Sequence, residues 1–290
     1  MHDKVDGQRL PITPGKGNLP RIVLTATDGA SAEVYLHGAH VTSWRPAGLP
    51  DDRLYLSARS TFGAGAAIRG GIPVSFPQLA DQGQLPNHGF ARLLAWTLVR
   101  AGLQPDGSAR ALLHLGDSAD TRRLWPHPFA LELAVTVSGH TLDVSLTVTN
   151  TGPAEFAFTA ALHTYLDVRD VANTSVRGLA GAGFRDKAGN RDHCIERAEM
   201  LRIDGEIDRL YHCAPQPIEV MSPGRILSIT ASGFPDTVIW NPGPVRAKAL
   251  SDIEPGSEAA MLCVEAAAAA APVLLAPGAQ WRGAQALAAG

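Results

Sequence analysis

Leu131-Glu132-Leu133-Ala134-Val135-Thr136-Val137 sets aliphatic residues against polar or small ones at every second position. After Ser138-Gly139-His140 the alternation restarts in Leu142-Asp143-Val144-Ser145-Leu146-Thr147-Val148-Thr149. Successive side chains of a strand point to opposite faces, so a period of two buries one face and leaves the other in water. Two such runs around a short glycine-containing turn predict a β-hairpin. Weaker strand signals occur at Ile22–Thr27, Ala32–Leu36, Trp96–Arg100, Ala111–Leu115, Phe156–Leu162, Ile226–Thr230, Val238–Trp240, Met261–Val264 and Val273–Leu275. No window of useful length spaces apolar residues by three or four, as an amphipathic helix would. The Ala266–Ala271 run has high helix propensity. It lies between a strand-like segment and Pro272, and reads as a short connection. Many short strands separated by turns predict an all-β sandwich or barrel.

Composition agrees with that class. Of 290 residues, 45% are hydrophobic and 18% charged, so the chain can bury a sizeable core and is not disordered in bulk. Gly 29 and Pro 21 together make about 17% of the chain, above ordinary usage, which favours turns over long helices. A net charge of −3 gives no general attraction for phosphate polymers, and aromatic residues are too few for a base-stacking surface, so nucleic acid is not expected as a partner. Cys194, Cys213 and Cys263 are far apart and odd in number, which argues against a disulfide framework and for a reducing compartment. The start, Met1-His2-Asp3-Lys4-Val5-Asp6-Gly7, lacks the apolar core of a signal peptide. The alanine-rich run after Glu265 is too short and too interrupted by Pro272 and Pro277 to span a bilayer. These features predict a cytoplasmic protein without membrane contact. Residues 1–20 form an N-terminal extension and 21–290 one domain, since no internal repeat, charge block or linker divides the chain.

The densest cluster of chemistry-bearing residues is loop-like. Arg69-Gly70-Gly71-Ile72-Pro73, Phe76-Pro77-Gln78 and Pro86-Asn87-His88-Gly89-Phe90-Ala91-Arg92 combine turn formers with two arginines, an amide and a histidine. Gly70-Gly71 would let the backbone approach a ligand closely. Arginine offers a planar fork of donors matched to carboxylate or phosphate oxygens. The plain alternative is that Arg69 and Arg92 are surface residues and His88 fills a loop. His163 closes the Phe156–Leu162 strand and Glu265 ends Met261-Leu262-Cys263-Val264-Glu265. Alone, His163 is more readily a structural histidine bonded to the backbone and Glu265 an edge carboxylate facing solvent; together they make a possible acid/base pair. No G-x-S-x-G elbow or phosphate loop is present, and Gly63-Ala64-Gly65 fails as a dinucleotide fingerprint because Ile68 stands where the third glycine would fall. The histidines lack H-x-x-x-H spacing, so no metal is expected.

Arg69-Gly70-Gly71-Ile72-Pro73, Asn87-His88-Gly89-Phe90-Ala91-Arg92, Leu162-His163-Thr164-Tyr165, Trp240-Asn241-Pro242 and Cys263-Val264-Glu265 occur in that order. This ordered set resembles the signature segments of the hexose-6-phosphate mutarotases, or glucose-6-phosphate 1-epimerases, of the aldose 1-epimerase superfamily. The similarity runs from about Arg21 to the C-terminus. The resemblance implies an antiparallel β-supersandwich of the galactose mutarotase-like kind, in agreement with the strand reading.

It further implies that His163 is the general acid and Glu265 the general base, and that Arg69 and Arg92 line the sugar-phosphate site. Asn87 stands where relatives carry an amide, with His88 beside it. Asp208, with Asp204 as a competitor, matches an aspartate that holds sugar hydroxyls. The implied activity is interconversion of the α and β anomers of an aldohexose 6-phosphate by a monomer without cofactor. The alternatives are an epimerase of unphosphorylated aldoses and a non-catalytic carbohydrate-binding or sensor protein. For ring opening, Glu265 must be ionised and His163 protonated, and a carboxylate within reach would keep the imidazole charged.

Overall fold

The structure is a computed structural model that describes residues 10–213 and 216–290. Residues 1–9 of the expected N-terminal extension lie outside it. The deciding hairpin forms as Phe129–Ser138 against Thr141–Asn150, with Ser138 opposite Thr141. Gly139 takes φ 56° in the two-residue turn, a left-handed conformation that glycine adopts without strain. The aliphatic face of both strands is buried from Leu131 through Val148.

Among the described residues all sheet pairings are antiparallel apart from one isolated bridge between Phe76 and Gly89. This hairpin sits inside a nine-stranded sheet that runs from Met200–Arg202 at one edge to Thr97–Leu103 at the other. Four strands from Thr13–Pro14 to His40–Arg45 pair in sequence order as a second sheet. The third sheet has eight strands and carries the site. Its centre is Met261–Leu275, flanked by Asp236–Asn241 on one side and by Phe156–Leu162 and Tyr165–Asp167 on the other. One hydrophobic core takes side chains from all three sheets. Among the described residues the α-helices are short, Ala119–Leu124 and Gly243–Ala247, and no helix is long and apolar enough to cross a membrane.

The alanine run departs from its expected form. Ala266–Ala271 is no connection: it lies within the 15-residue strand Met261–Leu275, which also absorbs the separately expected strand at Val273–Leu275. Pairing on both sides overrides the helical preference of alanine. Leu262, Val264, Ala266 and Ala268 face the main core, while Met261, Cys263, Ala267 and Ala269 join a second cluster on the opposite face with Tyr165 and Trp240. Glu265 falls in the second set by the same alternation. The register shifts between Phe158 and Ala160 against this strand, and there the Asp236 carboxylate accepts from the backbone N–H groups of Ala269 and Ala270.

Candidate active site

Strand register brings the two residues of the expected pair together. Leu162 is opposite Ala266 and Tyr165 opposite Cys263, so the same register places His163 opposite Glu265. Facing side chains of an antiparallel pair stand about 5 Å apart at Cβ. Here His163 Nε2 lies 3.3 Å from Glu265 Oε1, and both side chains are more than nine-tenths buried. The His163 ring stacks on Tyr165 at 4.7 Å, nearly parallel, and meets the edge of Trp240 at 6.1 Å. Its Nδ1 is buried and has no hydrogen-bond partner.

This pair lies at a cavity of about 220 Å³, somewhat below the usual range for a site that takes small molecules. Its wall includes Arg69, Asn87, His88, His163, Asp208 and Glu265. Arg92 does not line it. The Arg92 guanidinium donates to the Asn87 carbonyl at 2.9 Å, and its Nε is buried without a partner. Asp208 is opposite Trp240 in the strand Ile207–Tyr211 and is half-buried, whereas Asp204 is exposed and outside the wall. Burial raises the Asp208 carboxyl above its usual range.

Arg69 is clamped: Nε and Nη2 each lie 3.0 Å from Asp252 Oδ2, and Nη1 donates to the Tyr165 hydroxyl at 2.9 Å. Behind it, His40 Nε2 is 2.7 Å from the Gly70 carbonyl. The glycines serve this packing rather than a ligand. A Cβ on Gly70 would sit 2.4 Å from the Tyr55 carbonyl oxygen, and one on Gly71 2.1 Å from that of Val41. Neither residue lines the cavity, so the expectation of close ligand approach gives way to close approach by the chain itself. His88 adopts a left-handed φ of 65°, with Nδ1 accepting from the Ala80 N–H at 3.3 Å and lying 3.1 Å from Ser75 Oγ.

Electrostatics corrects a second expectation. Burial, and then His88, Arg92 and Arg69, push the His163 pKa well below its ordinary value. Burial and the nearby Asp208 push Glu265 well above the carboxylate range. Both shifts favour the uncharged forms, a carboxylic acid beside a neutral imidazole, over an ion pair. Burial and the charges of Arg92, Arg69 and Lys187 push His88 down to about 3. Lys187, Asp81 and Arg246 also line the cavity and were not anticipated. Lys187 lies just past the strand Gly183–Asp186, Asp81 on the Ala80–His88 loop and Arg246 on the short helix after Asn241. None sits in a distinctive motif; only the nearby Trp240-Asn241-Pro242 segment pointed to that wall.

The fold is that of the galactose mutarotase-like proteins: one such protein from Clostridium acetobutylicum has a TM-score of 0.76 at 14% identity, covering 98% of this chain and 99% of that one. A model described as aldose 1-epimerase matches residues 20–288, and the chain belongs to that family. A protein of Escherichia coli K12 that bears the provisional name glucose-6-phosphate 1-epimerase is 37% identical over 241 residues, 81% of this chain and 79% of its own. One from Cenchrus ciliaris with the same provisional name is 35% identical over 281 residues, 93% and 85% of the two chains. A Salmonella typhimurium structure, provisionally titled a mutarotase, has a TM-score of 0.85 at 30% identity over 97% of this chain and 96% of that one.

Proposed function

We propose that the protein interconverts the anomers of an aldohexose 6-phosphate, glucose 6-phosphate foremost, by opening and reclosing the sugar ring at His163 and Glu265. The observation that carries the phosphate reading is the set of cations that line the cavity with His88: Arg69, Lys187 and Arg246. Arg92, outside the wall, has an uncharged carbonyl as its hydrogen-bond acceptor among the described residues. A phosphate dianion at that wall supplies the counter-charge that Arg92 lacks. Family membership and the shared provisional name of the relatives support the same reading.

Ring opening moves one proton from the anomeric hydroxyl to Glu265 and another from His163 to the ring oxygen. Closure on the other face returns both. The pair holds a single proton throughout: it begins opening as carboxylate and imidazolium and ends as acid and imidazole. The buried, neutral form is thus the state poised for closure. A phosphate beside Arg69, at the cavity wall, offsets the positive field of Arg69 and Arg92 that opposes the imidazolium, and so eases the step that opens the ring. Asn87 and Asp208 are placed to hold sugar hydroxyls. Three unpaired cysteines fit a reducing compartment, and we place the enzyme in the cytoplasm as a monomer.

The test is the ratio of kcat/KM for glucose 6-phosphate to that for glucose, from exchange spectroscopy. Arg69→Ala, at the cavity wall, is expected to lower it by one to two decades, the loss of a charge-assisted hydrogen bond of about 1.5–3 kcal/mol. Arg92→Ala, which acts through its charge from outside the wall, is expected to lower it less. An unchanged ratio in Arg92→Ala and Arg69→Ala would instead make unphosphorylated aldoses the substrates.

A further inference from the structure

The cations in and against the cavity are held with different firmness. Arg69 is committed to Asp252 and Tyr165, and Arg246 lies 2.9 Å from Glu206. Lys187 Nζ lies 3.2 Å from Asp81 Oδ1, and both residues line the cavity. The Asp81 side chain is 81% exposed and that of Lys187 30%. Water competes for such a pair, so it is weak and easily exchanged. The backbone of Lys187 is fixed, since its N–H donates to the Asp208 carbonyl at 2.8 Å. The freedom belongs to the four-carbon stem, which delivers a rotatable point charge rather than a rigid fork.

Resting on the sugar-phosphate reading, we propose that Lys187 is a specificity-determining residue whose ammonium leaves Asp81 for the substrate phosphate, with Asp81 acting as a resident competitor. The exchange favours the newcomer, because a phosphate dianion carries about twice the charge of a carboxylate and three acceptor oxygens. The location fits. The Ala80 N–H, one residue before Asp81, donates to His88, around which the charges of Arg69 and Arg92 converge. A solvent-exposed competitor lowers the hold on the phosphate without touching the reacting atoms, which speeds product release.

Competition predicts effects of opposite sign, which a merely structural strap between two loops would not give. In full-length protein, Lys187→Gln is expected to lower the ratio of kcat/KM for glucose 6-phosphate to that for glucose by about tenfold, the scale of one charge-assisted contact. Asp81→Asn is expected to raise it several-fold, chiefly through a lower KM for the phosphorylated sugar. Calorimetric titration with glucose 6-phosphate is expected to show weaker binding in the first variant and tighter binding in the second. In the double variant the gain from Asp81→Asn shrinks, because there is no ammonium left to release. Losses in both single variants, or a ratio that moves in neither, would overturn the proposal. Asp81 is a surface residue, so its variant is expected to fold and keeps the test open if Lys187→Gln does not. A wild-type enzyme that shows no preference for glucose 6-phosphate over glucose would remove the sugar-phosphate reading itself, before any variant is made.

Discussion

Glu265 and His163 lie 3.3 Å apart, and in the proposed mechanism they pass one proton between them, which sets what substitution at either does. Glu265→Gln keeps the shape but has no useful basicity, and is expected to cost 10²–10⁴-fold in exchange rate, the usual contribution of a general base. His163→Asn is expected to cost a similar factor. The double variant is expected to lose less than the product of the two, since residues acting as one unit are not additive. Exchange spectroscopy on the three variants checks this, and strict multiplicativity would count against a shared proton. From the residues alone the pair was legible as two strand ends that together make an acid/base pair, and the resemblance added the role of each. What could not be read there was its charge state, which depends on how deeply the side chains lie and on which cations the loops bring beside them. Lys187 was hidden for a related reason: a lysine in a turn has no periodicity to mark it.

Elements whose two faces differ in chemistry were readable, and those whose faces are alike were not. The Phe129–Asn150 hairpin alternates aliphatic with polar residues along both strands. In Ala266–Ala271 both faces are alanine, so the sequence has no period, and only pairing with Phe156–Leu162 and Asp236–Asn241 shows it to be strand. Small side chains are what that position between two packed faces admits. Ala268→Leu, at a residue buried in the main core, is expected to destabilise the protein by about 1–3 kcal/mol through overpacking. Gly70→Ala adds a Cβ 2.4 Å from a backbone oxygen at φ 113°, whereas Gly29→Ala, at φ 91°, meets open space. The first is therefore expected to lose clearly more stability than the second, which bears only the left-handed penalty of about 1–2 kcal/mol. Urea denaturation of the three variants measures these differences, and equal losses at the two glycines would contradict the packing assigned to Gly70.

At the scale of the whole molecule, buried histidines make folding sensitive to acid. Burial pushes His40 down to about 3, and burial with neighbouring cations does the same to His88. Both folded values lie below the unfolded 6.5, so the stability they confer is complete above that pH and is lost as pH falls toward 3. Each contributes a slope of up to about 1.4 kcal/mol per pH unit. Glu265 runs the other way: its folded value is raised, so its share is present below the unfolded value and lost as pH rises through the folded one. His40 does not line the cavity, and His40→Gln is expected to reduce the acid slope of unfolding free energy by close to one proton. An unaltered slope would mean that His40 titrates normally in the folded state. The register that sets His163 against Glu265 spans about a hundred residues of chain, and its second half is the strand at the centre of the sheet. Nothing synthesised before that strand emerges can turn over substrate, and a refolding chain recovers its hairpins before its catalysis. Regain of anomer exchange thus works as a clock for a long-range closure of the central sheet.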